Sequence, residues 1–290
     1  MQTQSSFEKH DGGGTLFLVP TPIGNLSDMT FRAVETLKTV DLIAAEDTRN
    51  TQKLLNHFEI ETRQISFHEH NTAERIPELI TKLQDGMNIA QVSDAGMPSI
   101  SDPGKELVKA AVEQSIPVVP LPGANAGVTA LIASGINPQP FYFYGFLPRK
   151  DKDQRQELAQ LAQRTETTIY YEAPHRITKT LKNIVAEFGE ERRAVLGREL
   201  TKKHEEFIRG SLAELLAWAT KENVRGEFVI IIAGNDNPTV EDQPKLTLTP
   251  IEQVQHYIAE GMATNAAIKS TAKERDLRRQ DLYNQFHDIK

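Results

Sequence analysis

Short apolar runs recur along the first half of the chain. Each gives way to a polar loop and then to apolar residues at helical spacing. Residues 15–19, 41–45, 60–67, 89–92 and 116–119 are predicted strands, the third more polar than the others. Helices are predicted from a cap at Asp28 or Thr30 to Lys38, through Leu54, Leu55 and Phe58, over 72–83 and over 106–112. Strands and helices alternating at this spacing indicate βαβ units and a mostly parallel sheet. After Gly123 the pattern resumes with a helix of small residues over 124–134, ended by Gly135, and an aromatic strand over 141–147. A charged segment, 149–164, predicts an exposed helix. Strands at 167–171, 194–197, 207–208 and 228–233, with a helix over 212–220, complete a second α/β unit.

The fold class is therefore α/β, in two domains at 14–122 and 123–236. A loose tail (1–13) precedes them, and a linker rich in Pro, Asn and Asp (237–248) follows. Residues 249–290 differ in kind. Pro250 at a helix start, a turn at Gly261 and a cap at Thr264 divide them into two or three short helices, a small all-α appendage like a helix-turn-helix.

The fourth strand runs into V-S-D-A-G-M-P-S-I-S-D-P-G, residues 92–104. Ordinary βα loops have roughly 2–6 residues, and this one is longer and denser in Gly, Pro and Asp. A strand that ends in such a loop and opens a helix is where an open α/β sheet binds a ligand. Within it, Ser101-Asp102-Pro103 is expected to form the cap and first turn of the next helix.

Composition narrows the chemistry. With no cysteine in 290 residues, disulfides, thiolate zinc sites and thiol catalysis are excluded, in agreement with a reducing, cytoplasmic setting. No run of about 18 apolar residues suggests a membrane span. The polar, Gly-rich start lacks the apolar stretch of a signal peptide. A net charge of −7 argues against coating nucleic acid by charge alone. The end of the chain departs from that balance. Residues 265–290 hold six Lys or Arg (269, 273, 275, 278, 279, 290) against four Asp or Glu (274, 276, 281, 288), a local +2.

Neither G-x-G-x-x-G nor G-x-x-x-x-G-K-[ST] is present, so no dinucleotide or P-loop nucleotide is indicated. There is no G-x-S-x-G hydrolase elbow. In His68-Glu69-His70 two imidazoles alternate as on a strand, yet nothing supplies a third ligand, so the triplet is taken as a polar strand end and no metal is expected.

Seven motifs in order carry a resemblance: T-L-F-L-V-P-T-P-I-G-N-L, A-E-D-T-R-N-T, the 92–104 loop, P-L-P-G-A-N-A, F-Y-G-F-L-P, Y-E-A-P-H-R and R-E-L-T-K-K-H-E-E. Over residues 14–290 the chain resembles the tetrapyrrole methylase superfamily. The resemblance implies two α/β domains with S-adenosylmethionine in the cleft between them. It implies cofactor contacts from Pro22, Ile23 and Gly24, from Asp94, Ala95, Gly96, Pro98 and Ser101, from Ala124, Asn125 and Ala126, and from Phe146 and Leu147, completed near Gly226-Glu227-Phe228. Many members carry G-x-G-P-G where this chain has T-P-I-G-N, which argues against a tetrapyrrole acceptor. The branch most resembled methylates the ribose 2′-hydroxyl of a cytidine in the decoding region of 16S ribosomal RNA. A homodimer and an assembled small ribosomal subunit as substrate are implied with it.

Methyl transfer to a ribose hydroxyl needs in-line alignment, and a base and a cation assist it. E-D-T-R, E-A-P-H-R and R-E-L-T-K each set acids beside bases at predicted strand ends, among them Asp47. Glu172, His175, Glu199 and Lys202 are the candidate catalytic residues. Arg49, Arg149, Arg176 and Arg198, with Lys269, Lys273, Arg275, Arg278 and Arg279, are candidate RNA contacts. Tyr170 and Tyr171 are candidates for stacking on a base. A small-molecule tetrapyrrole methyltransferase and a non-catalytic ribosome-assembly protein are the alternatives.

Overall fold

Two five-stranded sheets, each flanked by helices, carry most of the chain in a computed structural model that describes residues 1, 3–6, 12–221, 224–236, 248–275 and 277–287. Part of the expected tail (2 and 7–11), all but the last residue of the expected linker (237–247), and positions 276 and 288–290 lie outside the described residues. The chain forms two compact units, Met1–Asp236 and Asn237–Lys290.

The first sheet joins β1 (Leu16–Leu18), β2 (Leu42–Ala45), β3 (Gln64–Ser66), β4 (Ile89–Val92) and β5 (Val118–Pro120) in the order β3-β2-β4-β1-β5. Every pairing is parallel. β2 and β4 are buried at every residue, as expected of parallel strands covered on both faces. The covering helices are α1 (Phe31–Thr39), α2 (Thr48–His57), α3 (Thr72–Gln84) and α4 (Lys105–Glu113). From β1 the chain winds outward through β2 to β3, then returns to β4 and continues to β5 on the far side. β1 and β4 are neighbours whose connections diverge, which makes their carboxyl ends the switch point where doubly wound sheets bind ligands.

Three expectations are corrected here. β3 is shorter than 60–67, because the chain leaves α2 through a left-handed Glu59 (φ 54) while the Ile60 N–H bonds back to the Leu55 carbonyl. The His68-Glu69-His70 triplet therefore lies in a turn beyond β3. Thr30, and not Asp28, caps α1, accepting from the Ala33 N–H at 3.1 Å. Ser101-Asp102-Pro103 does not cap α4. Gly104 takes that place with φ 139, and the Gln91 side chain donates to the Pro103 carbonyl at 2.6 Å.

The second sheet holds β6 (Phe141–Phe146), β7 (Thr167–Glu172), β8 (Arg193–Arg198), β9 (Glu206–Ser211) and β10 (Phe228–Ile232), ordered β6-β7-β10-β8-β9. Only β6 and β7 pair in parallel; the remaining pairs are antiparallel. β9 extends past 207–208, and its half-exposed residues as an edge strand explain why few of them are apolar. Helix α5 (Ala126–Ser134) packs Ala130 and Leu131 on one face, against Ile169, Val195 and Ile231. The other face carries α6 (Asp151–Leu161), α7 (Ile177–Phe188) and α8 (Leu212–Lys221). The charged α6 is not exposed throughout: Gln154, Leu158 and Leu161 are buried.

The second unit is described by itself. Helices α9 (Pro250–Ala259), α10 (Thr264–Glu274) and α11 (Arg279–Phe286) enclose Val254, Tyr257, Ala267, Ile268 and Leu282. Thr249 and Glu252 form a reciprocal capping box ahead of Pro250. Thr264 is the first helical residue of α10 and not its cap; Ala263 stands there without a side-chain bond. Among the described residues, no helix is long and apolar enough to cross a membrane.

Candidate active site

The loops after β1 and β4 meet at the switch point and are stitched together. Thr21 and Gly96 exchange two backbone hydrogen bonds of 3.0 Å, and the Thr21 hydroxyl donates to the Ser93 carbonyl at 3.0 Å. Gly96 holds φ 79, a left-handed value that glycine adopts without strain. A Cβ there would lie 3.3 Å from Ile23 Cγ2, a contact tight enough that Ile23 would have to give way.

These loops form one side of a cavity of about 370 Å³. Ile23, Gly96, Met97 and Ile100 line that side. The start of α5 and the ends of β6 and β7 supply Asn125, Ala126, Phe146, Tyr171 and Glu172, and the β8–β9 turn and the start of β10 add Leu200, Lys202, Glu227 and Val229. The size and the mix of apolar walls with a few polar groups suit a small organic ligand.

Seven of the expected cofactor residues line this cavity: Ile23, Ala95, Gly96, Ser101, Asn125, Ala126 and Phe146. Pro22, Gly24 and Asp94 instead line a second hollow of about 220 Å³, formed by the same two loops with Asn50 and Lys53. There Asp94 accepts from the Asp47 N–H at 3.2 Å and from the Asn50 amide at 3.1 Å, so it holds the start of α2 in place. Pro98 is buried within its loop, and Ala124 lines neither hollow. Leu147 is 2% exposed in the core behind the sheet, because successive residues of an extended segment face opposite ways and Phe146 faces the cavity.

The expected catalytic residues separate into three situations. Glu172 is on the lining but fully engaged. Its Oε1 accepts from the Ala173 N–H at 2.8 Å and lies 3.3 Å from Arg176 Nε, and its Oε2 accepts from the Thr180 hydroxyl at 2.6 Å. His175 is exposed on the turn after β7, off the lining. Lys202 faces the cavity and donates to Glu199 at 2.8 Å and to Glu227 at 3.0 Å. Burial would lower the Lys202 pKa, but these two hydrogen bonds outweigh it and raise it. Burial would likewise raise the Glu199 pKa; the bonds it accepts from Lys202 and the Glu227 N–H outweigh that and lower it.

The segment carrying Lys202 is strained. Glu199 (φ 50) and Thr201 (φ 65) both sit in the left-handed region, which is costly for a β-branched threonine. Such outliers concentrate at functional sites.

The expected RNA-contacting arginines are mostly engaged within the protein. Arg176 donates to the Leu147 and Pro148 carbonyls at 3.0 and 3.1 Å as well as facing Glu172, which makes it part of the fold and not an open contact. Arg198 donates to the Arg225 carbonyl at 2.7 Å and to Glu206 at 3.0 Å. Arg49 is exposed and grips Asp47 through two hydrogen bonds, which hold the Asp47 carboxyl down at about 2. Arg149 is exposed. In the helical unit Lys269, Lys273, Arg278 and Arg279 are exposed, whereas Arg275 donates to Gln253 and to the Leu248 carbonyl. Tyr170 is wholly buried and cannot stack on RNA. The Tyr171 hydroxyl accepts from the Gly127 N–H at 3.0 Å, with its ring against Phe143 and Phe146.

Asp102, Met97, Ile100 and Leu200 line the cavity without a sequence signal that singled them out. Asp102 is the chemically consequential one. Burial, and then the nearby carboxylates of Asp94 and Glu69, raise its pKa against a lowering hydrogen bond from Ser93.

Residues 15–216 match the family described as Tetrapyrrole (Corrin/Porphyrin) Methylases. The chain is 55% identical over 291 residues, covering all of both chains, to a Streptococcus pyogenes protein named Ribosomal RNA small subunit methyltransferase I. It is 51% identical over 289 residues to a Bacillus subtilis protein of that name, covering 99% of each. Among solved structures, the methyltransferase CobJ superposes with a TM-score of 0.59 at 16% identity, over 78% of this chain and 98% of that one. Uroporphyrin-III C-methyltransferase from Thermus thermophilus, complexed with S-adenyl homocysteine, gives 0.54 at 17% identity, over 76% and 97%. At those identities the likeness is one of fold.

Proposed function

The chain belongs to the tetrapyrrole methylase family, and from that premise we propose that it transfers a methyl group from S-adenosylmethionine to the ribose 2′-hydroxyl of a cytidine in the decoding region of 16S ribosomal RNA. The observation that carries the reading is the switch-point cavity, taken with full-length relatives named for methylating small-subunit ribosomal RNA. Among the described residues lining it, Lys202 is the one cation, and two carboxylates hold it. A phosphate-rich nucleotide is poorly served there. A donor with an adenine, a ribose and an amino-acid end finds apolar walls, carboxylates and, at Gly96, backbone open to close approach.

When bound, S-adenosylmethionine supplies a methyl group on a positively charged sulfur. Ile23, Phe146, Leu200 and Val229 exclude water from the site. Lys202 is held by Glu199 and Glu227 as a fixed ammonium, placed to stabilise charge developing on the acceptor oxygen. Glu172 and Arg176 act as positioning residues for the β7 turn. The exposed cations Arg49 and Arg149, with Lys269, Lys273, Arg278 and Arg279 on the helical appendage, serve phosphate contacts.

The net charge of −7 favours an assembled small subunit as substrate, with protein and shape contacts supplementing a restricted basic surface, and the cytoplasm as the place of action. A homodimer is part of the same reading. Val128 and Ile132, one turn apart on α5, are 45% and 76% exposed, an apolar strip that suits a second copy.

Labelled methyl transfer to undermethylated small subunits, free 16S RNA and a porphyrinoid tests the proposal. Label is expected on the subunits, at a ribose hydroxyl. Label on the porphyrinoid alone supports the tetrapyrrole alternative, and absence of donor binding supports a non-catalytic assembly factor.

A further inference from the structure

Five titratable side chains line the cavity among the described residues: Asp102, Tyr171, Glu172, Lys202 and Glu227. Four are unsuited to taking a proton from an acceptor hydroxyl. Glu172 is buried with both oxygens engaged by Ala173, Arg176 and Thr180. Lys202 already carries its proton, held by Glu199 and Glu227. Glu227 is occupied with that lysine and is 79% exposed. Burial raises the Tyr171 pKa, which keeps its hydroxyl protonated.

Asp102 differs from all four. Folding brings it to the cavity wall because Gly104, and not the S-D-P tripeptide, opens α4. Among the described residues no cation pairs with it; Ser93 lowers its pKa, while the Ser93 hydroxyl donates to the Gly96 carbonyl at 3.4 Å. Carboxylates from neighbouring strand ends act on it: Glu69 after β3 and Asp94 after β4 oppose its ionisation, and its own charge opposes that of Glu46 after β2 and of Tyr171 on β7. A half-buried carboxylate among like charges binds a proton more readily than an ordinary aspartate, and a general base benefits from that.

Resting on the ribose-methylation reading above, we propose that Asp102 is the general base of the reaction, accepting the proton of the acceptor 2′-hydroxyl. As the hydroxyl oxygen bonds to the methyl carbon, the carbon–sulfur bond breaks and its electron pair stays on sulfur, which leaves as a neutral thioether. The hydroxyl proton passes to an Asp102 oxygen and is later released to water. The positive charge of the donor and the negative charge of the carboxylate disappear together. Lys202 lines the other side of the cavity and stabilises the oxygen while the proton is in transit.

Asp102→Asn keeps the shape and removes the base. With the full chain and undermethylated small subunits, its single-turnover rate is expected to fall by roughly 10²–10⁴-fold, with S-adenosylhomocysteine affinity by calorimetry and subunit affinity unchanged. The wild-type rate is expected to rise with pH along an acid limb. Glu69→Gln removes a neighbouring charge that opposes ionisation, so it should move that limb to lower pH. An Asp102→Asn protein with wild-type rate overturns the proposal. So does one that loses S-adenosylhomocysteine binding in proportion to rate, since Asp102 would then be a donor ligand, and so does an acid limb that Glu69→Gln leaves in place. Wild-type protein that labels a porphyrinoid and no RNA overturns the acceptor reading itself. That result is distinct from wild-type activity on RNA that survives Asp102→Asn.

Discussion

At Gly24 only hydrogen fits as a side chain. A Cβ would lie 2.4 Å from Lys202 Cγ and 3.0 Å from Thr201 Oγ1. Gly24→Ala should displace Lys202 from the cavity and lower methyl transfer by up to roughly 10²-fold, the scale of a 1 Å misplacement, with little change in melting temperature. A full rate in single-turnover assays would show that the position of Lys202 is not critical. Asp102 makes a second prediction, on stability. Its folded pKa lies above the unfolded value, so the folded state binds its proton more tightly, and stability falls as pH rises through that window. At neutral pH the ionised group costs stability. Asp102→Asn should therefore melt higher than wild type near neutral pH. The difference should close below the ordinary carboxylate range, as thermal melts across pH will record.

On the scale of elements, the turn between β7 and α7 depends on one buried ion pair. Glu172 has a 1% exposed side chain, and Arg176 is the cation beside it, also bonded to two carbonyls of the chain after β6. Removing one partner of a buried pair leaves an uncompensated charge and typically costs about 3–5 kcal/mol. Arg176→Leu should show that loss as a lower unfolding midpoint, while the salt dependence of RNA binding by the folded protein stays the same. A changed salt slope with unchanged stability would return Arg176 to the RNA surface. The R-E-L-T-K segment is a contrasting case. It ends β8 in two left-handed residues that are not glycine, so its shape is imposed by what packs on it, Gly24 from one side and Gly226 from the other.

For the whole molecule, the charge balance sets the terms of substrate binding. Removing residues 249–290 should impair methylation of subunits more than S-adenosylmethionine binding; equal losses would make the segment structural. Alanine at Lys269, Lys273, Arg278 and Arg279 should weaken RNA binding. It should also flatten the plot of log affinity against log salt by about 0.7–0.9 for each phosphate that the variant no longer neutralises. If the proposed homodimer forms through α5, Ile132→Asp should lower the sedimentation coefficient without unfolding the protein, because Ile132 is 76% exposed; an unchanged coefficient would count against that interface.

The periodicity of the sequence determined the alternation of strands and helices, since a buried parallel strand must be apolar at consecutive positions and its helices must carry an apolar stripe. Order and spacing of motifs determined the family and the two loops that floor the site. Gly96 was legible because close backbone approach calls for glycine, which is visible locally, and Ile23 and Ala95 came with the motifs that carry the family resemblance. Engagement of side chains was not legible. Arg176 and Arg49 look alike in sequence, yet one supports a buried carboxylate and the other stands in solvent. The S-D-P tripeptide carries residue types that cap helices and residue types that serve a reaction, and no local pattern separates the two. Only the tertiary structure decided that Gly104 opens the helix and Asp102 faces the cavity. That outcome depends on Gln91, on the preceding strand, whose side chain donates to the Pro103 carbonyl.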